Sequence, residues 1–283
     1  MDIDKGKTCK LCGSEHTSRL FEKKGFDIYK CNNCLAAFTD IKPSFDLSTI
    51  YDDSYFSGGQ EDGYADYVES ENVLRAEFSK NLQFLRRNKT NGNKLLEVGC
   101  AHGFFLDEAK EYYDCVGIEV SESAVQFAKE RGHDVHQGVV TKELLDKLGN
   151  FDVICMFDVI EHLPDPVDTL QMLNEKLKPG GIIYIVTGDI NTIHAKIFGK
   201  HWRLMTPPQH TFFFSKKAFR IIMQKLGYEI LVEDRPWKKV PVGLALYQVT
   251  SRVGLKMKPS GTLMKISAPV NLFDTIRIIA RKK

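Results

Sequence analysis

From Asn91 onward, short strand-like runs alternate with stretches in which apolar residues return every three or four positions. The runs are KLLEV, CVGIEV, DVHQG, FDVICMF, IIYIVT and YEILVED. Between them lie FFLDEAKEYY, SESAVQFAKERG, TKELLDKLG, DPVDTLQMLNEKLKPGG and SKKAFRIIMQKLG. Strand and helix alternating in this way predict an α/β fold, a doubly wound parallel sheet with helices on both faces. Such sheets bind ligands at the carboxyl ends of their strands, so chemistry is sought there.

Outside this region the pattern changes. Residues 41–63 are rich in turn formers and tyrosine, and then Tyr64, Tyr67, Val68, Leu74, Phe78, Leu82 and Leu85 mark an amphipathic helix to about Arg87. Tyr51, Tyr55, Tyr64 and Tyr67 read either as core or as a lid over a site. After Asp234 comes an apolar and basic stretch without a catalytic motif. LFDTIRIIARKK follows it and is expected to be the final antiparallel edge strand, its cations kept in solvent. The organisation expected is therefore residues 1–40 as one small module, 41–90 as linker and helical lid, 91–235 as the core, and 236–283 as a cover plus the last strand.

Composition narrows the partners. A net charge of +2, with 43% apolar and 27% charged residues, exerts no strong pull on nucleic acid or anionic lipid. No apolar run approaches the roughly 18 residues of a membrane span, and MDIDKGKTCK lacks the apolar core of a signal peptide, so a cytoplasmic location is expected. The cysteines add a specific feature. Cys9 and Cys12 form one Cys-x-x-Cys pair and Cys31 and Cys34 another, with eighteen residues between Cys12 and Cys31. Two short turns joined by a hairpin suit four thiolates around tetrahedral zinc, and a segment of this size has too little core to fold without such a staple. With every position taken by sulfur, the ion is expected to be structural.

The turn after the first strand, LLEVGCAHGFF, bends at small residues and opens a helix-like stretch. Glu119 ends the next strand at a distance that lets an acid reach ribose hydroxyls, a feature of dinucleotide and S-adenosylmethionine sites alike. Glu97 leads the turn, where a carboxylate would repel a pyrophosphate but can help hold an ammonium group.

LLEVGCAHGFFL, VGIEVS, FDVICMFDVIEHLPDP and LKPGGIIYIVT, in this order, resemble the class I S-adenosylmethionine-dependent methyltransferases. Within them the chain is similar to the branch of ubiquinone-biosynthesis O-methyltransferases and of methyltransferases of glycan and natural-product pathways. The resemblance covers Lys94 to Asp234 and reaches the N-terminus through the cysteine pairs. It implies a Rossmann-like seven-stranded methyltransferase sheet with a small N-terminal zinc ribbon. It also implies that Glu97, Gly99, Cys100, Ala101 and Gly103 border the methionine half of the cofactor. Glu119 would bind the ribose, Val120 would pack on the adenine, Gly138 and Val139 would lie along its edge, and Phe157 and Asp158 would form cofactor wall. Ala101 departs from the family, many members of which have glycine there.

The sulfonium is already an activated methyl donor, so a hydroxyl or carbon acid needs mainly alignment and a base. His162, in the EHL turn, and His210, in a segment similar to one this branch places over the acceptor, are the catalytic candidates. Trp202, Arg203 and Pro207 of the same segment would supply a wall and an anion contact. Turn stabilisation by His162 and helix capping by His210 are the competing structural roles. The expected reaction is methyl transfer to oxygen or carbon of a small molecule or a sugar. An rRNA or tRNA base methyltransferase stays open, although the charge and the absence of an Asn/Asp-Pro-Pro-Tyr/Phe motif weigh against it, and so does a non-catalytic S-adenosylmethionine-binding protein.

Overall fold

The strand-like runs all enter one seven-stranded sheet in the computed structural model of the chain, which describes residues 7–42, 45, 68, 70–88, 90–241, 267–270 and 274–283. Three short strands come first: β1 (Thr17–Lys23), β2 (Phe26–Cys31) and β3 (Ala37–Thr39). Helix α1 (Glu71–Arg87) leads into the alternating region. That region runs β4 (Lys94–Val98), α2 (Phe104–Ala109), β5 (Asp114–Glu119), α3 (Glu122–Glu130), β6 (Asp134–Gln137), α4 (Lys142–Leu148), β7 (Phe151–Phe157), α5 (Pro166–Lys176) and β8 (Leu177–Gly188). Then come α6 (Ile193–Phe198), β9 (Phe212–Phe213), α7 (Lys216–Lys225), β10 (Tyr228–Asp234), β11 (Lys238–Pro241), β12 (Ser267–Val270) and β13 (Thr275–Lys282).

The large sheet has the order β10-β13-β8-β7-β4-β5-β6. Its central pairs are parallel, whereas β13 is antiparallel to both of its neighbours. The chain leaves β4 toward β5 and β6 on one side and resumes at β7 on the other. This reversal opens a crevice at the carboxyl ends of β4 and β7, the place where such sheets take ligands. The helices that frame it start where the sequence supplies caps: Ser121, Thr141, Asp165, Thr192 and Ser215 each accept a backbone N–H of the first turn.

Alternate residues of the strands feed two apolar layers. Leu95, Val153, Cys155, Ile182 and Tyr184 pack with Leu82, Leu85, Phe105 and Leu106 of α1 and α2. Leu96, Ile154, Met156, Ile183 and Ile185 face Leu145, Leu170, Leu173, Phe219 and Ile222 of α4, α5 and α7. The N-terminal module belongs to this second layer, through Leu11, Tyr29, Ala36 and Phe38. Its strand β3 pairs with β9, so the small sheet is β1-β2-β3-β9, with one strand taken from the core.

Two expectations need correction. The C-terminal run is not an edge strand: β13 lies between β8 and β10, and Thr275 to Ala280 are buried. Arg277 within it is only 4% exposed. It is accommodated by an ion pair to Asp234 and by stacking over the Phe84 ring at 3.6 Å. Arg203, read as an anion contact, is committed to Asp274 through two hydrogen bonds of 2.9 and 3.0 Å, and Trp202 donates to the same carboxylate from the core. Tyr51, Tyr55, Tyr64 and Tyr67, and most of the cover, lie outside the described residues. Among the described residues no helix is long and apolar enough to cross a membrane.

Candidate active site

The turn after β4 is built by left-handed backbone at three alternate positions: Gly99 (φ +71), Ala101 (φ +45) and Gly103 (φ +78). A side chain at Gly99 would clash with Cγ2 of Val159, and one at Gly103 would stand 2.8 Å from the His133 ring. Ala101 tolerates the conformation but without the freedom of glycine. The turn survives its family departure at the cost of local strain.

Two carboxylates face this turn and differ in what they do. Glu119 holds it with both oxygens: Oε2 accepts from the N–H of Ala101 at 2.9 Å, and Oε1 from those of Val120 and Ser121 at 2.7 and 3.0 Å. Its own carbonyl accepts from Gly138 at 2.8 Å, which ties the turn after β6 to the same point. Glu97 is 2% exposed, and its Oε2 has no hydrogen-bond partner. Burial, and then repulsion from Glu119, push its carboxyl well above the usual range. A buried orphan oxygen at the head of a strained turn is what an ammonium group of a ligand would relieve.

Along the same edge, Val120 is 39% and Val139 63% exposed, apolar surfaces open to an aromatic ring. The Cys100 thiol points the other way, into the space left by Gly117, so only its backbone borders the turn. Phe157 meets Phe105 and Tyr184 edge-on, with ring centres 4.8 and 5.2 Å away, and Phe78 at a tilt, 5.8 Å away. Asp158 follows it with φ +54 and donates its N–H to the Val186 carbonyl at 2.8 Å, fixing the exit from β7. The set fits the cofactor that the sequence implies: a carboxylate for the ammonium, a close-approach backbone, an acid at the ribose position and an apolar shelf. His102 is buried against Phe104 and Phe127, a turn residue away from any base position.

On the acceptor side, residues 160–162 make a single 3-10 turn that presents Glu161 and His162. The segment before β9 brings His210 against them, with the two imidazole centres 4.6 Å apart and nearly perpendicular. Nδ1 of His162 donates to the Gln209 carbonyl at 3.0 Å, and Nδ1 of His210 to the Leu204 carbonyl at 2.8 Å. The His162 ring also has the Asp158 main chain beside it. Burial is the main cause that lowers both: His162 to about 4, partly offset by the Gln209 carbonyl and by Asp158, and His210 well below its ordinary value, with His162 adding to the effect. His210 does not cap α7, since Ser215 does so itself. Glu161 was absent from the sequence-based candidates. Its signal was the Glu-His pair in a turn, but His210 joins it only through Thr211, whose N–H and hydroxyl both donate to the Glu161 carbonyl, at 2.9 and 3.0 Å.

The four paired cysteines converge. Sγ of Cys9 lies 3.7 Å from that of Cys34, and Sγ of Cys12 lies 3.5 Å from that of Cys31. None of the seven cysteines is in a disulfide. Four sulfurs around one ion at about 2.3 Å stand roughly 3.8 Å apart, so the cluster has the dimensions of a tetrahedral thiolate site. The module that carries it is tied to the segment of His210 and to the start of α7: Lys23 donates to the Met205 carbonyl, Ser215 Oγ to the Cys34 carbonyl at 2.6 Å, and Thr39 to the His210 carbonyl.

A profile described as a methyltransferase domain matches residues 70–233, which takes in α1 and ends within β10. The ubiquinone biosynthesis O-methyltransferase of Methylococcus capsulatus is 28% identical over 144 residues, 47% of this chain and 61% of that protein. The enzyme of the same description from Caulobacter vibrioides is 35% identical over 103 residues, 34% of this chain and 41% of its own. The chain thus spans about three fifths or less of these relatives. Among solved structures, magnesium protoporphyrin IX methyltransferase from Synechocystis with bound S-adenosylhomocysteine superposes with a TM-score of 0.52 at 13% identity, covering 83% of this chain and 99% of that one. A SAM-dependent methyltransferase from Archaeoglobus fulgidus gives 0.52 at 18% identity, over 76% and 99%. These likenesses establish the fold. The family match covers the strained turn, both carboxylates and the Glu-His turn, and the chain belongs to the methyltransferase-domain family as an S-adenosylmethionine-dependent enzyme.

Proposed function

We propose that the protein transfers a methyl group from S-adenosylmethionine to a hydroxyl oxygen of a small-molecule acceptor, an aromatic or sugar alcohol. The meeting of Glu161, His162 and His210 after β7 carries this reading, because it gathers three polar groups at the end of the strand that neighbours β4, which carries the cofactor turn. The partial relatives named as O-methyltransferases support oxygen as the accepting atom.

The cofactor supplies an electrophilic methyl on a sulfonium, and the residues of this chain hold and align it. Glu97 binds the ammonium, Gly99, Cys100, Ala101 and Gly103 admit the methionine part by their backbone, Glu119 takes the ribose hydroxyls, and Val120, Gly138 and Val139 receive the adenine. Phe157 and Asp158 close the wall next to the methyl. The acceptor hydroxyl lies against His162 and His210. As neutral imidazoles near pH 7 both are weak bases, so their first contribution is to orient the hydroxyl. Cys9, Cys12, Cys31 and Cys34 hold a structural zinc ion that stiffens the sheet on which the His210 segment rests.

Incubation with cofactor carrying a labelled methyl group, against panels of phenols, sugars and nucleotide sugars and against RNA, tests this reading. The expected product is a methyl ether of a small molecule, identified by mass spectrometry, with one zinc ion per chain by elemental analysis. Label found only in RNA, or no label in any pool from protein that binds the cofactor, would overturn it.

A further inference from the structure

We propose that Asp107 and His133 are positioning residues for S-adenosylmethionine, which set the cofactor turn through Gly103 without touching the ligand themselves. The proposal rests on the reading that Gly103 borders the cofactor. Gly103 opens α2 in left-handed backbone (φ +78), and no side chain caps the helix there. Its carbonyl accepts from the Asp107 N–H at 2.9 Å. On its other face the ring of His133 takes the space that a side chain would fill, with Cδ2 2.8 Å from where a Cβ would stand. Nε2 of that ring lies 2.9 Å from Oδ1 of Asp107. Asp107 therefore reaches Gly103 twice, along the helix backbone and through the imidazole. The two side chains are only 7% and 4% exposed, so neither offers a surface to a ligand.

The charge of Asp107 is what holds this arrangement. A carboxylate only accepts, so the neutral imidazole donates Nε2–H to it and the ring is kept in one orientation. Burial is the main cause that lowers the His133 pKa, Asp107 opposes it, and Lys110 and Arg131 add to it, which leaves the ring uncharged near pH 7. The same carboxylate accepts from Arg131 at 2.7 and 3.0 Å, from Lys110 at 2.9 Å and from Arg75. Arg75 comes from α1 and also donates to Glu71 at 2.7 Å and to Glu108 at 3.1 Å, while Arg131, just beyond α3, reaches Glu71 at 3.4 Å. Both guanidinium groups lie over the ring of Phe104, the residue after Gly103, at 5.5 and 5.7 Å from its centre. Asp107 thus fastens α1, α2 and the end of α3 to the turn at one point.

A backbone that approaches a ligand closely has to be held within about 0.5 Å, and residues locked by packing and hydrogen bonds behind the site do this. An amide in place of the Asp107 carboxylate keeps the shape. It leaves Arg75 and Arg131 without their shared anion and frees the His133 ring to turn against Gly103.

The test measures S-adenosylhomocysteine affinity by calorimetry and unfolding by denaturant on the full chain, at a temperature where every variant is folded. Asp152→Asn is the comparison: Asp152 is also a buried carboxylate, paired with Lys178 at 2.8 Å, but it lies at the amino end of β7, away from the turn. Asp107→Asn and His133→Leu should each weaken S-adenosylhomocysteine binding by about tenfold or more. Asp152→Asn should change it by less than about twofold, although it too lowers stability. The double variant of Asp107→Asn and His133→Leu should bind within about twofold of Asp107→Asn alone, since both act through one contact. Unchanged affinity in Asp107→Asn would overturn the proposal, as would fully additive losses in the double variant. So would an equal loss in Asp152→Asn, which would make affinity a readout of global stability. If Asp107→Asn does not fold, His133→Leu, which leaves the ion cluster in place, decides by the same measure. Glu97→Gln separates the proposal from the reading beneath it. Weakened binding there with native affinity in Asp107→Asn refutes the positioning role alone, whereas native affinity in both shows that the turn does not hold the cofactor and removes both.

Discussion

The hydroxyl of Thr39 donates a hydrogen bond of 2.8 Å to the main-chain carbonyl of His210, and the Thr39 N–H donates to the carbonyl of Thr211 at 2.9 Å. These bonds continue the pairing of β3 with β9 and make the cysteine-bearing sheet the support of the acceptor-side histidine. Replacing Thr39 by Val keeps the shape and β propensity and removes one buried hydrogen bond, a loss of about 1–2 kcal/mol in denaturant unfolding. As a positioning change, it should lower methyl transfer more than it lowers S-adenosylhomocysteine affinity. An equal fall in both would show that Thr39 acts only through global stability.

That relationship also marks where the sequence stops being readable. The alternation from Asn91, the glycine-bent turn, Glu119 and the paired cysteines are local patterns, and each is found where its pattern placed it. The interior position of β13 is not local. A strand ending in Arg and Lys reads as an edge, and only the partner strand β10, with Asp234 to receive Arg277, reveals that it is covered on both sides. The same holds for Arg203, which looks available to an anion until Asp274 arrives from the other end of the chain. Glu161 and His162 are adjacent in sequence, but their meeting with His210 depends on β9 leaving the main sheet to pair with β3, a tertiary choice without a periodic signature.

The left-handed Ala101 gives a stability prediction with a sign. Glycine there would relieve strain of about 1–2 kcal/mol, while making the unfolded chain more flexible at a cost of about 0.4–1 kcal/mol. Ala101→Gly should therefore stabilise the protein by up to about 1.6 kcal/mol, read as a rise in Tm of a few degrees, with cofactor binding kept. Gly99→Ala places a side chain against Val159 at φ +71, and should lower Tm and abolish S-adenosylhomocysteine binding. A Tm for Ala101→Gly below that of the native chain would contradict the strain assignment.

Asp107 sets an acid limb of stability. It lies in the first turn of α2 with its side chain only 7% exposed and accepts from Arg131 at 2.7 and 3.0 Å, from Lys110 at 2.9 Å and from Arg75, and it pairs with His133 at 2.9 Å. Burial alone would raise its carboxyl, but the hydrogen bonds from Lys110, Arg131 and Arg75 outweigh this and hold it far below the usual carboxylate range. With the folded value depressed, the contribution is complete above the unfolded value of about 3.9 and is lost as pH falls toward the folded one. Asp107→Asn should cost about 1–2 kcal/mol at neutral pH, Arg75 and Arg131 being partly exposed. It should also flatten the fall of Tm below about pH 4. Parallel acid limbs in the two proteins would place the acid sensitivity elsewhere.

Glu119 separates holding the turn from holding the ligand. Its two oxygens already accept three main-chain N–H groups, so Glu119→Ala will both loosen the turn and remove the proposed ribose contact. The S-adenosylhomocysteine affinity should fall at least tenfold, about 1.4 kcal/mol or more. That loss alone does not say which role matters, and a ligand change resolves it. A deoxyribose analogue of S-adenosylhomocysteine lacks a hydroxyl that the carboxylate would accept from, so it should bind the native protein more weakly than the parent ligand. In Glu119→Ala the two ligands should bind almost equally, because the partner of the missing hydroxyl is gone. The coupling between residue and hydroxyl, read from this cycle by calorimetry, then measures their direct contact. A coupling near zero would mean that Glu119 serves the turn and that the ribose is recognised by other groups.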